Sequence, residues 1–269
     1  MIFRALSVLA VLAVLAANPA HAALSDQQRQ QILSEAREAY NAGLTTVRKD
    51  PQQAALSFAD AARRFQQLVD EGVVNGRLEY NLGNALLQMG EVGRAILHYR
   101  AAENLIPGDP KLRHNLEYAR SLTQSHIAPS GGRALSAALL GWHRNTTIRA
   151  RFTVFITAYL VFWLLLTVSL VAPRPWWWWP VAATGVVWLA CGLSVGADLL
   201  GTGHYREGVV LLDDVVVRKG NSEGFEPQFQ QPLHQGVEFR VLEQRPGWLS
   251  IELPDGKSGW IRADAAGLL

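Results

Sequence analysis

FTVFITAYLVFWLLLTVSLVA (residues 152–172), PRP (173–175) and WWWWPVAATGVVWLACGLSV (176–195) follow one another without a break in this chain. The first stretch holds 21 uncharged residues. As a helix it would be about 31 Å long, the thickness of a bilayer's hydrocarbon core. Pro173-Arg174-Pro175 leaves room only for a tight reversal. Two antiparallel spans, 152–172 and 176–197, are therefore expected within a transmembrane hairpin over 152–200, closing near Asp198. Trp176, Trp177, Trp178 and Trp179 suit the headgroup level, where an indole buries its ring and keeps its N–H wet. Gly185, Gly192 and Gly196 share one face of the second span, and Gly192-x3-Gly196 permits close backbone approach. Packing against the chain's own first span is the expectation, with a partner's span as the alternative. A hairpin also puts whatever precedes it and whatever follows it on one side of the membrane.

Upstream, residues 126–151 carry Arg133, Arg144, Arg149 and Arg151 and no acidic residue. Pro129-Ser130-Gly131-Gly132 reads as a linker, and Ala134–Trp142 as a short apolar helix with basic ends, suited to the membrane interface. Arg149 and Arg151, beside the first span, are expected to meet anionic lipid headgroups. Residues 1–22 have the layout of a secretory signal: Arg4, an apolar run from Ala5 to Ala17, a break at Asn18-Pro19, and Ala20-His21-Ala22. That run is too short to span a membrane, so the flanking modules are expected on the periplasmic side of a bacterial inner membrane. The positive-inside tendency argues the other way, because the loop between the spans offers only Arg174. The signal is given more weight because its parts stand in the right order and spacing.

Residues 23–125 have helical periodicity and balanced charge, twelve Lys/Arg against twelve Asp/Glu. They also repeat internally, which marks stacked helical pairs. In Tyr80-Asn81-Leu82-Gly83-Asn84-Ala85 … Gly90 … Ala95-x3-Tyr99-x2-Ala102 … Pro107, small residues fall where two helices must approach and large ones fill the gap. Gly90 ends one helix and Pro107 stops the next. This resembles the tetratricopeptide repeat (TPR), except that Glu79 occupies the leading Trp position. A shift of 34 residues sets Ala61-x3-Phe65 against Ala95-x3-Tyr99. That implies an earlier, degenerate repeat whose first helix runs from Glu35 to Leu44, followed by an insertion around Thr45–Gln53. Pro110 to about Thr123 is expected to form a capping helix.

From 205 to 269 the period becomes alternating: Val215-Val217, Val237-Phe239-Val241 and Leu249-Ile251-Leu253. Turn signals separate them at Lys219–Ser222, Gln235-Gly236, Pro246-Gly247 and Pro254–Gly256. Short strands in about 60 residues predict a small all-β barrel. The two pairs Gly247-Trp248 and Gly259-Trp260 make this stretch resemble bacterial SH3-type domains, with both tryptophans read as barrel packing rather than a ligand platform. The fold class expected is therefore multi-domain: an all-α helical repeat, a two-helix membrane hairpin and an SH3-like barrel.

Signal, repeat, hairpin and terminal barrel in that order, with Tyr80–Asn84, Gly93–Ile96 and Asn115-Leu116, resemble the BatE class of the Bacteroides aerotolerance (Bat) proteins. The resemblance implies an envelope-stress scaffold without enzymatic activity. It would associate with membrane-bound von Willebrand A-type Bat proteins and a cytosolic MoxR-type ATPase system. An envelope-anchored binder of peptidoglycan or its stem peptides, acting through the SH3-like module, is the alternative.

The residues themselves offer little chemistry. Gly256-Lys257-Ser258 imitates the end of a phosphate loop, but Ile251 stands where its first glycine belongs. Cys191 is the only cysteine, which excludes an intrachain disulfide or a cysteine-rich zinc site. His98, His114 and His126 lack ligand spacing, so neither metal nor cofactor is expected. No stretch is basic and aromatic enough for nucleic acid. The best candidate site is a peptide groove on the helical repeat. Tyr80, Asn84 and Leu87 would lie beside Lys111, His114, Asn115 and Tyr118, with amides for a peptide backbone and a lysine for a carboxylate.

Overall fold

The computed structural model describes residues 24–125, 127–131, 141–143, 145–200 and 206–269. The signal-like segment 1–22, Arg133, Arg144, His126 and most of Ala134–Trp142 lie outside these residues.

Five helices form the first part: α1 (Asp26–Thr46), α2 (Pro51–Asp70), α3 (Gly76–Gln88), α4 (Val92–Leu105) and α5 (Pro110–Leu122). Each start is written locally. Ser25 and Gln28 cap each other's backbone N–H groups, closing a capping box. Asp50, Asn75 and Asp109 accept from the first-turn amides of α2, α3 and α5, and Pro51 and Pro110 fill first-turn positions that need no donor. Gly72, Gly90 and Gly108 take φ near +80° just past the ends of α2, α3 and α4. That left-handed conformation ends a helix at little cost only for glycine. The resulting turns are short, so consecutive helices pack side by side.

A glycine facing a ring sets the closest approaches. A Cβ on Gly83 would lie 2.7 Å from the Tyr99 ring, and one on Gly43 would lie 2.6 Å from Phe58. The two pairs of helices thus use one device, but the ring in the first pair is Phe58. The 34-residue register assigned that place to Phe65, which is instead buried in the common core. The cause is length: α1 starts at Asp26, well before Glu35, and α2 starts at Pro51. The expected insertion around Thr45–Gln53 therefore shrinks to a turn over residues 47–50.

α6 (Ile148–Val171), a 3-10 turn (Pro175–Trp177) and α7 (Trp178–Leu199) form the hairpin. Both helices are long and apolar enough to cross a membrane. In α6 only Arg151 and Ala158 are buried, whereas Leu160 and Leu164 are 62% and 64% exposed. Such surface is tolerable in lipid and costly in water. Phe155 and Phe162 sit over Gly192 and Gly185, and Trp188 fills the space between these two rings. Among the described residues, nothing lies within 4 Å of a Cβ placed on Gly196. Of the three glycines expected to seat the first span, Gly185 and Gly192 lie against its phenylalanines.

β1 (Glu207–Val210), β2 (Glu238–Arg245), β3 (Trp248–Glu252), β4 (Ser258–Arg262) and β5 (Ala266–Leu268) make one antiparallel sheet in the order β4-β3-β2-β1-β5. Val210, Val215, Val217, Val237, Phe239, Leu249, Ile251 and Ile261 are among its core residues. Val215-Val217 does not form a regular strand. It reaches its neighbours through isolated bridges, Val215 to Leu233 and Arg218 to Pro227 and Trp260. Trp248 and Trp260 alternate with Leu249 and Ile261 and so face outward, half-buried. The expectation that they pack the interior is corrected by this register, because a β-strand sends successive side chains to opposite faces.

The sheet is docked on the helical stack. Gly93 in α4 lies so close to β1 that a Cβ would stand 2.6 Å from the Val210 carbonyl oxygen, and Gly267 in β5 lies against Leu97. Val209 is buried in the helical core itself.

Candidate functional site

At the predicted groove, Asn84 (α3) and Asn115 (α5) meet across the stack. Asn115 Nδ2 donates to Asn84 Oδ1 at 2.8 Å and to the Tyr80 hydroxyl at 3.0 Å, while the Tyr99 hydroxyl donates to Asn84 Oδ1 at 2.8 Å. Burial pushes the Tyr99 hydroxyl pKa well up, with Tyr80 and Tyr40 nearby adding to the shift, so it stays a donor at any physiological pH. Tyr80 and Tyr99 also touch as rings, centroids 6.0 Å apart. The structure thus brings Tyr80, Asn84 and Asn115 together, but as a closed network that ties three helices. Leu87 packs against the core. Only Lys111, His114 and Tyr118 remain as an exposed rim, Tyr118 at 54%. The donor and acceptor atoms expected to greet a peptide backbone are largely satisfied within the stack, so any ligand would use the rim.

Glu79, which departs from the repeat pattern, has a partner. His98 Nδ1 lies 2.8 Å from Glu79 Oε2 inside the α3–α4 pair, with both side chains nearly buried. The polar residue at an apolar position is thereby satisfied.

The open end of the hairpin carries a second cluster. Arg151 donates through Nη2 to Asp198 at 2.6 Å and through Nη1 to Ser194 Oγ at 2.7 Å. Ser194 Oγ is 2.6 Å from His143 Nδ1, and His143 Nε2 is 3.3 Å from Asp198. Arg151 also contacts His143. Serine, histidine and aspartate in this order are the parts of a nucleophile, base and orienter. Here, however, Ser194 is 8% exposed and its oxygen accepts from the arginine. The arrangement is a charge clasp that holds α6 to α7, and burying an ion is acceptable when it is paired and hydrogen-bonded in this way. Arg151, expected at the lipid headgroups, is turned inward, whereas Arg149 is exposed as expected. At the other end Trp176, Trp178 and Trp179 are exposed, but Trp177 is stacked on Trp176 at 4.7 Å with its indole N–H buried. The wet N–H expected of all four tryptophans fails at Trp177.

A third cluster joins stack to sheet. Arg100 in α4, 5% exposed, pairs with Glu103 on its own helix, with Glu207 in β1, and with Glu238 in β2 at 3.0 Å. Arg120 in α5 clamps Glu238 with two further bonds of 2.6 and 3.0 Å. Burial pulls the Arg100 pKa down, but Glu238, Glu207 and Glu103 outweigh it, and the net direction is up. The Gly93 amide donates to Gln235 Oε1 at 3.1 Å, adding a neutral bond across the same seam. Sequence reasoning missed this latch, because nothing local in Arg100 announces a partner more than a hundred residues away. The clasp was more accessible: one arginine opens the first span and one aspartate closes the second.

No protein-family model matches the sequence, and no match is found among curated proteins.

Proposed function

We propose that this chain is a membrane-anchored, non-catalytic interaction scaffold, with residues 23–125 serving as a TPR-type platform and 205–269 as an SH3-type module. Both would face the periplasm from a bacterial inner membrane. The observation that carries the reading is the clasp: Arg151 and Asp198 lie together at the end of the hairpin from which the helical stack and the sheet depart. A reversal of only 173–175 leaves both folded parts on one face of the bilayer, fixed in a common orientation by the Arg100 latch. A rigid body held at a membrane surface suits recruitment of other membrane proteins. The resemblance in the sequence suggests von Willebrand A-type Bat proteins as partners and envelope stress as the setting.

A second reading, binding of peptidoglycan or stem peptides, is favoured by one feature. Trp248 and Trp260 face outward on the sheet, with the Arg245 guanidinium 5.1 Å from the Trp260 ring centroid. Affinity capture of the full chain in mild detergent separates the two readings. Enrichment of integral membrane proteins supports the scaffold. Retention on purified sacculi that is lost in Trp248→Ala/Trp260→Ala supports wall binding and contradicts the first reading.

A further inference from the structure

A cleft of about 1070 Å³ opens on the sheet module where it meets the segment leaving α5. Gln124, the loop Gln228–His234, Asp255 and Lys257 are among the residues that line it. Four side-chain amides, Gln124, Gln228, Gln230 and Gln231, border it, with the half-buried Phe229 among them and the Lys257 ammonium 5.9 Å from that ring's centroid. A carboxamide offers a donor and an acceptor in one plane, which matches a peptide group. His234 Nδ1, at the same cleft, stands 3.5 Å from Asp213 Oδ1.

The same surface already holds a piece of irregular backbone. Residues 125 and 127–130 lie there in neither helix nor strand: the His234 amide donates to Ser125 Oγ at 3.2 Å, Ile127 packs on the sheet core, and the Ser130 amide donates to the Pro254 carbonyl at 3.0 Å. One side-chain bond, one backbone bond and one partly buried aliphatic group are the elements by which a domain holds an extended peptide. Charges of both signs border the cleft, so it favours no strongly charged polymer.

We propose that this cleft is a second recognition site, for an extended peptide of mixed or neutral charge, lying beside the chain's own residues 125 and 127–130. The peptide groups would pair with the glutamines while one apolar side chain rests on Phe229. The site does not depend on the rim of the helical groove. Because Gln124 and Ser125 belong to the segment leaving the stack while the loop belongs to the sheet, the cleft is complete only with the Arg100 latch closed.

The test is binding of the full chain, in mild detergent, to an array of N-acetylated, C-amidated random hexapeptides, with hexa-N-acetylchitohexaose as the competing probe. Selected hexapeptides should bind. Gln228→Ala/Gln231→Ala, at two exposed positions, should weaken them about tenfold through two lost hydrogen bonds while leaving the thermal unfolding of the chain unchanged. Lys111→Ala/Tyr118→Ala on the helical rim should change nothing. The proposal is overturned if no hexapeptide binds, if the oligosaccharide binds in preference, or if the rim variant abolishes binding while the glutamine variant does not. The last outcome would leave the helical platform intact as a reading.

Discussion

Arg100 illustrates how one residue can decide a long-range arrangement. Its guanidinium is buried between two folded parts and neutralised by carboxylates from both. Replacing it with leucine strands Glu207 and Glu238 at the seam, although Arg120 still holds Glu238 and both carboxylates are partly exposed. Arg100→Leu should therefore destabilise by about 3 kcal/mol, the lower end for breaking a buried pair, in urea unfolding followed by tryptophan fluorescence. Asp60 gives a different kind of prediction. The Arg64 hydrogen bond holds its carboxyl below the usual range against an opposing burial contribution, with the Arg64 charge and Arg63 adding to the lowering. A lowered folded pKa contributes stability above the ordinary carboxylate value, and that contribution is lost as pH falls through the lowered one. Asp60→Asn should leave a stability profile that is flatter below about pH 4, and an unchanged slope there would refute the assignment. Residue-level legibility was uneven. Asn84 and Asn115 could be placed side by side from their positions in the repeat, but the sequence did not show that they bond each other. Hydrogen-bond partners depend on rotamers and on the approach of a third helix.

At the scale of elements, local chemistry carried most of the reading. Pro110 and Gly90 mark helix boundaries by their own conformational preferences, and the hairpin follows from length and hydropathy alone. What failed was register. The start of α1 rests on Ser25 and Gln28 in a polar run with no strong apolar period, so the first helix was read too short. Val215-Val217 alternates like a strand but finds only single bridges, because pairing is a property of neighbours and not of the segment. Resemblance to SH3-type domains points Trp248 and Trp260 inward, whereas alternation with Leu249 and Ile261 dictates the outward face. Two substitutions probe the packing. Gly83→Ala puts a methyl 2.7 Å from the Tyr99 ring and should cost about 1–3 kcal/mol by overpacking in thermal unfolding. In the hairpin, Gly192→Leu meets Phe155 and should lower the melting temperature in detergent, while Gly196→Leu, with no described residue within 4 Å of its Cβ, should not. Equal effects at both glycines would mean that the spans cross differently.

For the whole molecule, one ionic cluster closes the hairpin on itself and another joins the helical stack to the sheet. Arg151, Ser194 and Asp198 hold the two spans together where the chain enters and leaves the apolar hairpin, and Arg100 and Arg120 hold the sheet to the stack. Neither was legible as a cluster in the sequence, although the order of the parts was, because both depend on docking between elements far apart in the chain. The proposed scaffold requires the stack and the sheet to lie on the same side of a membrane. Impermeant maleimide labelling of intact cells tests this most directly, using single cysteines at Gln52, Arg174 and Gly224 in a Cys191→Ser background. Labelling at positions 52 and 224 without labelling at 174 is the predicted result. Labelling of 52 and 224 from opposite sides of the membrane would contradict the hairpin and everything built on it.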